Sequence, residues 1–384
     1  MIVSNSSRKS KFFNSFSLEI HDDWKTLVSN IQFSSNSFEN HIYNCSINSA
    51  APNLMKEVIL GIYLIPPRSF WDYDGKRLNL IKLNDEVNDV AIKIFTIDDF
   101  IYRFKKTFTQ FKEQIAVELS GGLDTSILIG LLKAADIEPL LIGAVSERYE
   151  FRTERFIQTK ISNDFQRVHL INEMECLPFS SLTLVPPHLL PNKASLFFKP
   201  NLETNKIAKS NNIKILLNGI GMDMLLTETV NRSNYNNKFI NINLYEPWAN
   251  DNIFMPDGIY YFNAATLKSF KEGLLSNRFF LNEDYKKKWA RNFFIDVIPS
   301  ELNNFQYKAN FSGVNYQGYV DNEEEIIEVC REAYYISNLA TLKIDQVRSA
   351  FAGTLDLCID SEKKLLSILS YAVWIYGLRQ NALI

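Results

Sequence analysis

Residues 117–126, VELSGGLDTS, constrain this chain more than any other stretch, because an apolar run there breaks into small residues and resumes at helical spacing. Residues 115–119 have the β-branched and apolar content of a buried parallel strand, and Ile127, Leu128, Leu131 and Leu132 recur along a helix. Strand, loop and helix follow directly. Between the two elements Gly121 and Gly122 let backbone N–H groups approach an anion with no Cβ in the way, and the new helix aims its positive end at the same place. Ser120, Thr125 and Ser126 add hydroxyl donors, whereas Asp124 repels a bare phosphate, so magnesium is expected to accompany the phosphates. The competing reading is a tight βα turn, which also needs small residues.

The whole string SGGLDTS resembles the pyrophosphate-binding loop of the ATP pyrophosphatases, enzymes that split ATP between its α and β phosphates and leave an adenylated substrate. It lacks the GK[ST] ending of a Walker loop, and it lacks the third glycine and ribose-binding acid of a dinucleotide fingerprint. The resemblance implies that Ser120, Gly121, Gly122, Asp124, Thr125 and Ser126 bind ATP and pyrophosphate.

Composition narrows the class further. At 384 residues the chain has room for two domains, and 46% hydrophobic with 22% charged residues is an ordinary globular mixture. Lys plus Arg number 41 against 44 Asp plus Glu, a net charge of -3, which gives no electrostatic footprint for nucleic acid and sets aside the tRNA-modifying pyrophosphatases. Cys45, Cys176, Cys330 and Cys358 lie far apart with no CxxC pair, and read as reduced core thiols of a cytoplasmic protein. The first eleven residues are polar, and no later run approaches the roughly 18 apolar residues of a membrane span, so neither export nor membrane insertion is expected.

Residues 1–90 read as a small β-rich domain, with short alternating stretches at 17–20 and 58–65 separated by Ser/Asn-rich turns. The segments GIYLIPP at 61–67 and WDYDG at 71–75 resemble the end of the amino-terminal amidotransferase domain of asparagine synthetase-like proteins. Such amidotransferases use a cysteine directly after the initiator methionine, its own α-amine helping to activate the thiolate. Here that position is Ile2, and the domain is shorter than the full amidotransferase fold. A scaffold and a substrate-binding module are both open readings of it.

Residues 96–384 read as an ATP-binding synthetase domain with a helical carboxyl-terminal part. Ile97, Phe100, Ile101, Phe104, Phe108 and Phe111 predict an amphipathic helix over 97–112. After the loop helix come a strand at 139–145, a helix at 153–161 and a strand at 167–171. Such alternation gives an α/β fold, a parallel sheet flanked by helices of the PP-loop ATP pyrophosphatase type, with ligands at the carboxyl ends of its strands. Residues 186–198 and 231–288 carry no clear period and read as loops and short helices.

Three further segments follow the family's order. In SERYEFRTERF at 146–156, Glu154 matches an acid that opens the next helix; it is either a general base for the incoming amine or a helix-start glutamate favoured by the dipole. IKILLNGIGMDMLL at 213–226 resembles the second family signature, and implies that Gly219 and Gly221 approach the pyrophosphate while Asp223 joins Asp124 on magnesium. Met224 departs from that signature, which has glutamate there. FQYKANFSG at 305–313 resembles the family's KxxF segment, and implies that Lys308 stabilises the phosphates and the developing oxyanion. The final helix, over 363–378, resembles that of the lasso-peptide cyclases, with Ala372 in place of an acid.

Together these segments are similar to the synthetase domain of asparagine synthetase and to its relatives, the β-lactam synthetases and lasso-peptide macrolactam cyclases. The resemblance implies ATP and Mg2+ as cofactors, a precursor peptide as substrate, and a leader peptidase as working partner. An ammonia-dependent ligase acting on a small acid, and a degenerate peptide-binding member without catalysis, are the alternatives. Because Ile2 offers no thiol, incubation with free glutamine should release no glutamate above the buffer blank, and measurable glutaminase turnover would overturn that expectation.

Overall fold

The computed structural model describes residues 2–5, 11–14, 19–21, 62–65, 69–73 and 78–83, then 95–219 except 189, 190 and 192, then 222, 226, 259–263, 273–274, 287–303, 312–355 and 359–381. The first six segments are strands: β1 Ile2–Asn5, β2 Lys11–Asn14, β3 Glu19–His21, β4 Ile62–Ile65, β5 Ser69–Tyr73 and β6 Leu78–Leu83. They form two antiparallel sheets, ordered β1-β5-β6 and β3-β2-β4.

From Phe95 onward the chain is α/β. Helix α1 (Ile97–Phe108) starts at a capping box, in which Thr96 Oγ1 accepts from Asp99 N and the Asp99 carboxylate accepts from Thr96 N. Phe100, Phe104 and Phe108, at four-residue spacing, are buried. The alternation then runs β7 (Ile115–Glu118), α2 (Leu123–Ala134), β8 (Leu140–Val145), α3 (Arg152–Asn163), β9 (Val168–Asn172), α4 (Phe198–Ser210), β10 (Ile215–Asn218) and β11 (Tyr260–Asn263). Helices α5 (Lys288–Phe293), α6 (Ser312–Asp321), α7 (Glu323–Ser337), α8 (Ile344–Leu355) and α9 (Ile359–Gln380) complete it. Among the described residues no helix is long and apolar enough to cross a membrane.

The five strands β11-β10-β7-β8-β9 pair in that order and every pairing is parallel. Period-two alternation sends the sheet's side chains to two cores, and paired residues share a face. Ala116, Leu140, Ile142 and Leu216 join the buried side chains of α4, α7, α8 and α9. Ile115, Val117, Leu141, Ile215 and Leu217 join those of α1, α2, α3 and α5. Covering both faces is what a parallel sheet requires, and it explains why these strands read as continuous apolar runs. From β7 the chain steps through β8 to β9, then returns to the other side of β7 for β10 and β11. The order therefore reverses between β7 and β10, and the crevice at their carboxyl ends is where such sheets take ligands.

One element differs from the sequence reading, and a second lies where no element was assigned from sequence. Residues 260–263 are a strand although 231–288 read as loop, because the short aromatic run YYFN has no alternation to mark it and is recruited by pairing with β10. Residues 198–210 are a helix, α4, whose partly polar sequence gives little periodic signal, and which is held by burying Phe198 and Ala208 under the sheet. Trp289 is 2% exposed and donates from Nε1 to Leu226 O at 3.0 Å, so it belongs to the core. The buried thiols of Cys176 and Cys330 are free, and burial pushes them up to about 11 and about 12, so neither is a nucleophile at neutral pH. Cys45 and Cys358 lie outside the described residues.

Helix α9 is buried almost all round from Leu365 to Leu378, which makes it a core element. Trp374 Nε1 on it donates to His188 O at 2.8 Å. His188 is itself fully buried, its Nδ1 donating to Pro186 O at 3.0 Å, while Nε2 has no partner among the described residues. Burial therefore pulls the imidazole down to about 4 from its usual 6.5 and keeps it neutral. A histidine with a depressed folded pKa stabilises the fold fully above its unfolded value and loses that contribution as pH falls. Stability should thus drop by roughly 3 kcal/mol between about pH 6.5 and about pH 4 from this residue alone. Urea denaturation of wild type and His188→Asn across that window checks it: the difference between the two should shrink steadily as pH falls.

Candidate functional site

The strand-to-helix turn after β7 is built on close backbone approach. Gly121 has φ +74°, a conformation that side chains rarely adopt, and a Cβ there would stand 2.4 Å from the carbonyl oxygen of Glu154. The first turn of α3 therefore lies directly against the loop, and only glycine fits between them. Glu154 thus reaches the loop through its backbone, and its carboxylate Oε2 is buried. Gly122 is the N-cap of α2 with φ −81° and ψ 164°, and as a glycine it brings no side-chain cap to that helix. Its positive end faces the side where anions are favoured.

Hydroxyls close the loop on itself. Ser120 Oγ lies 2.8 Å from Thr125 Oγ1 and accepts from Gly122 N at 3.2 Å. Thr125 and Ser126 are buried; Thr125 Oγ1 donates to Gly122 O at 3.4 Å and Ser126 Oγ to the same oxygen at 2.7 Å. Three hydroxyls assigned from sequence as ligand donors are in this structure bonded within the loop.

Gly219, directly after β10, completes the mouth. A Cβ on it would lie 3.2 Å from Asp124 Cβ and 3.3 Å from Thr125 Cγ2. The two Gly-containing turns, about a hundred residues apart in sequence, are thus packed together across the switch point. Gly221, Asp223 and Lys308 lie outside the described residues.

Asp124 carries the site's electrostatics. Its Oδ1 takes Lys287 Nζ at 2.6 Å, and both side chains are mostly buried. Lys287 holds the left-handed conformation, φ 59°, at the N-cap of α5. Arg291, one turn on, is pulled down by burial and held up by the Asp124 carboxylate. Lys287 is therefore paired with the loop's acid, and Arg291, whose Nε donates to Leu302 O at 2.8 Å, feels the same charge. Lys287 and Arg291 escaped the sequence reading, because a lysine run at 286–288 in a stretch without period is indistinguishable from solvated surface. Gln158 escaped too. It is a buried amide whose Nε2 donates to Leu119 O at 2.9 Å and Ala144 O at 2.8 Å, tying the exits of β7 and β8. Its signal was present: a polar residue on the apolar stripe marked by Ile157 and Ile161.

Among the described residues no group of three or more His, Cys, Asp or Glu could hold a metal ion unaided. Asp124 offers carboxylate oxygens suited to magnesium, which usually takes one or two protein carboxylates with phosphate and water. The chemical capacity of the arrangement is anion binding: a glycine turn, a helix start with a glycine N-cap, and Lys287 and Arg291 nearby. No family model matches the chain, and no curated protein matches it.

Gly121→Ala should destabilise the protein by at least about 2 kcal/mol, since it adds left-handed strain and drives a Cβ into the Glu154 carbonyl. Thermal unfolding compared with Gly122→Ala, whose Cβ would meet only Ser120 Oγ at 3.3 Å, checks this; equal melting temperatures would contradict the close approach.

Proposed function

We propose that the chain is an ATP-dependent carbon–nitrogen ligase of the PP-loop ATP pyrophosphatase type, which adenylates a carboxylate and lets an amine displace AMP. The observation that carries this reading is the SGGLDTS turn at the switch point of the parallel sheet, with the Gly219 turn packed against it. The substrate favoured is a ribosomal lasso-type precursor peptide, whose side-chain carboxylate is closed onto the peptide's own amino terminus. Residues 1–90 are then a degenerate amidotransferase-like module, and a leader peptidase frees the amine, all in the cytoplasm.

In this scheme a carboxylate oxygen of the peptide bonds to the α-phosphorus as the bond to the β-phosphate oxygen breaks. The N–H groups of the loop and the start of α2 face the pyrophosphate charge as it develops. Lys287 and Arg291 stand ready to take that charge, and Lys308 is carried into the same role by resemblance alone. Magnesium, when bound through Asp124 and Asp223, supplies charge neutralisation for the phosphates. Asp124 would be the described residue that holds the metal, and Lys287, its present ion-pair partner, would be the nearby cation for the phosphates. The amine next bonds to the acyl carbon and AMP leaves with the acyl oxygen. Glu154, at the loop's edge, is the candidate to take the amine's proton. Holding both ends of one peptide in contact makes the second step effectively unimolecular, and excluding water protects the adenylate.

The test is pyrophosphate release from ATP and magnesium with nothing added, with ammonium and free aspartate, and with leaderless candidate peptides. Turnover only with a peptide, and loss of one water from its mass, supports macrolactam closure; turnover with the small acid favours the ammonia-dependent ligase. Silence throughout favours the peptide-binding reading, to which Ala372, buried in α9 where the family has an acid, already lends weight. Asp124→Ala should lower pyrophosphate release at least about a hundredfold in a folded protein; retained release would remove Asp124 from the site.

A further inference from the structure

Gln158 sits where hydrocarbon is expected. On α3 it shares the stripe of Ile157 and Ile161, is 4% exposed, and places its amide among apolar side chains. A buried amide is costly unless bonded, and an amide nitrogen has two protons to give. Both are spent on carbonyls at the crevice end of the sheet, those of Leu119 and Ala144. The Leu119 carbonyl is confined from a second side, because a Cβ on Gly143 would stand 2.3 Å from it.

Leu119 C=O and Ser120 N–H belong to one planar trans peptide, so they point in opposite directions. Whatever fixes the carbonyl fixes that N–H, the first donor of the loop. We infer that Gln158 is a positioning residue for the nucleotide: by holding the Leu119 carbonyl it sets the direction of the Ser120 N–H, and so the geometry in which the loop receives the phosphates of ATP. Helix α3 then supports the loop at two successive turns, through the Glu154 backbone beneath Gly121 and through Gln158 beneath Leu119. The inference rests on the ATP reading above.

The experiment is equilibrium binding of ATP with magnesium to the full chain, by calorimetry, alongside thermal unfolding. Gln158→Met keeps length and burial but donates nothing, and should raise the Kd for ATP about tenfold. Thr159→Ala, on the exposed side of the same helix, should leave it unchanged. A Gln158→Met protein that melts earlier but binds ATP with wild-type affinity overturns the inference, since that is the behaviour of a merely structural residue. Gln158→Glu provides a readout of its own: its ionised carboxylate faces two carbonyls, whereas its protonated form donates one bond. The affinity of that variant relative to wild type should improve as pH falls, and a flat ratio overturns the inference even where Gln158→Met does not fold. If wild type itself binds no ATP, the ATP reading falls; if wild type binds and Gln158→Met binds equally, only the role of Gln158 falls.

Discussion

The contact between Gly121 and the carbonyl of Glu154 is the constraint around which the candidate site is arranged. Two pieces of backbone approach so closely that a single methyl group would stand 2.4 Å from an oxygen. The contact fixes where α3 starts relative to the exit of β7, and it determines which way the loop faces. Gln158 and Arg155 then follow on the same helix, bonded to Leu119, Ala144 and Ser146 at the ends of β7 and β8. Packing of a helix against a sheet is thereby converted into placement of a loop.

That placement depends in turn on a sheet buried on both faces. At the centre of the sheet, β7, β10 and most of β8 are buried on both faces, which leaves these strands no solvated face along which to slip register, whereas the edge strand β9 is largely exposed. The ends of β7 and β10 are consequently held side by side, and the turns that leave them meet at Asp124, Thr125 and Gly219. The buried sheet also accounts for the electrostatics. Asp124 projects from the first turn of α2, where a helix start favours negative charge, and it draws Lys287 and Arg291 from a distant stretch of chain. The acid is ion-paired to Lys287, and Arg291, whose Nε donates to Leu302 O, feels the same negative charge.

Much of this was legible in the chain itself. The strand, loop and helix over 115–134 follow from composition and period, since a buried parallel strand must be apolar throughout and the helix behind it must repeat at helical spacing. The amphipathic phenylalanines of α1 and the apolar carboxyl-terminal helix were legible for the same reason. Strand β11 and helix α4 were not, because each is stabilised by partners supplied by the rest of the fold more than by its own pattern.

The division runs along a physical line. Local features, namely the glycines that permit φ +74°, the hydroxyls that close a turn and the apolar runs that demand burial, are properties of neighbouring residues, so the sequence alone determined them. Juxtapositions are not. That Gly219 would rest on Asp124, that Lys287 would cross 163 positions to reach the same carboxylate, and that a lone glutamine on an apolar stripe would clasp two carbonyls were decided only by tertiary structure. The reason is that a side chain's partner across a sheet or between helices depends on strand order and helix placement, which no local spacing encodes.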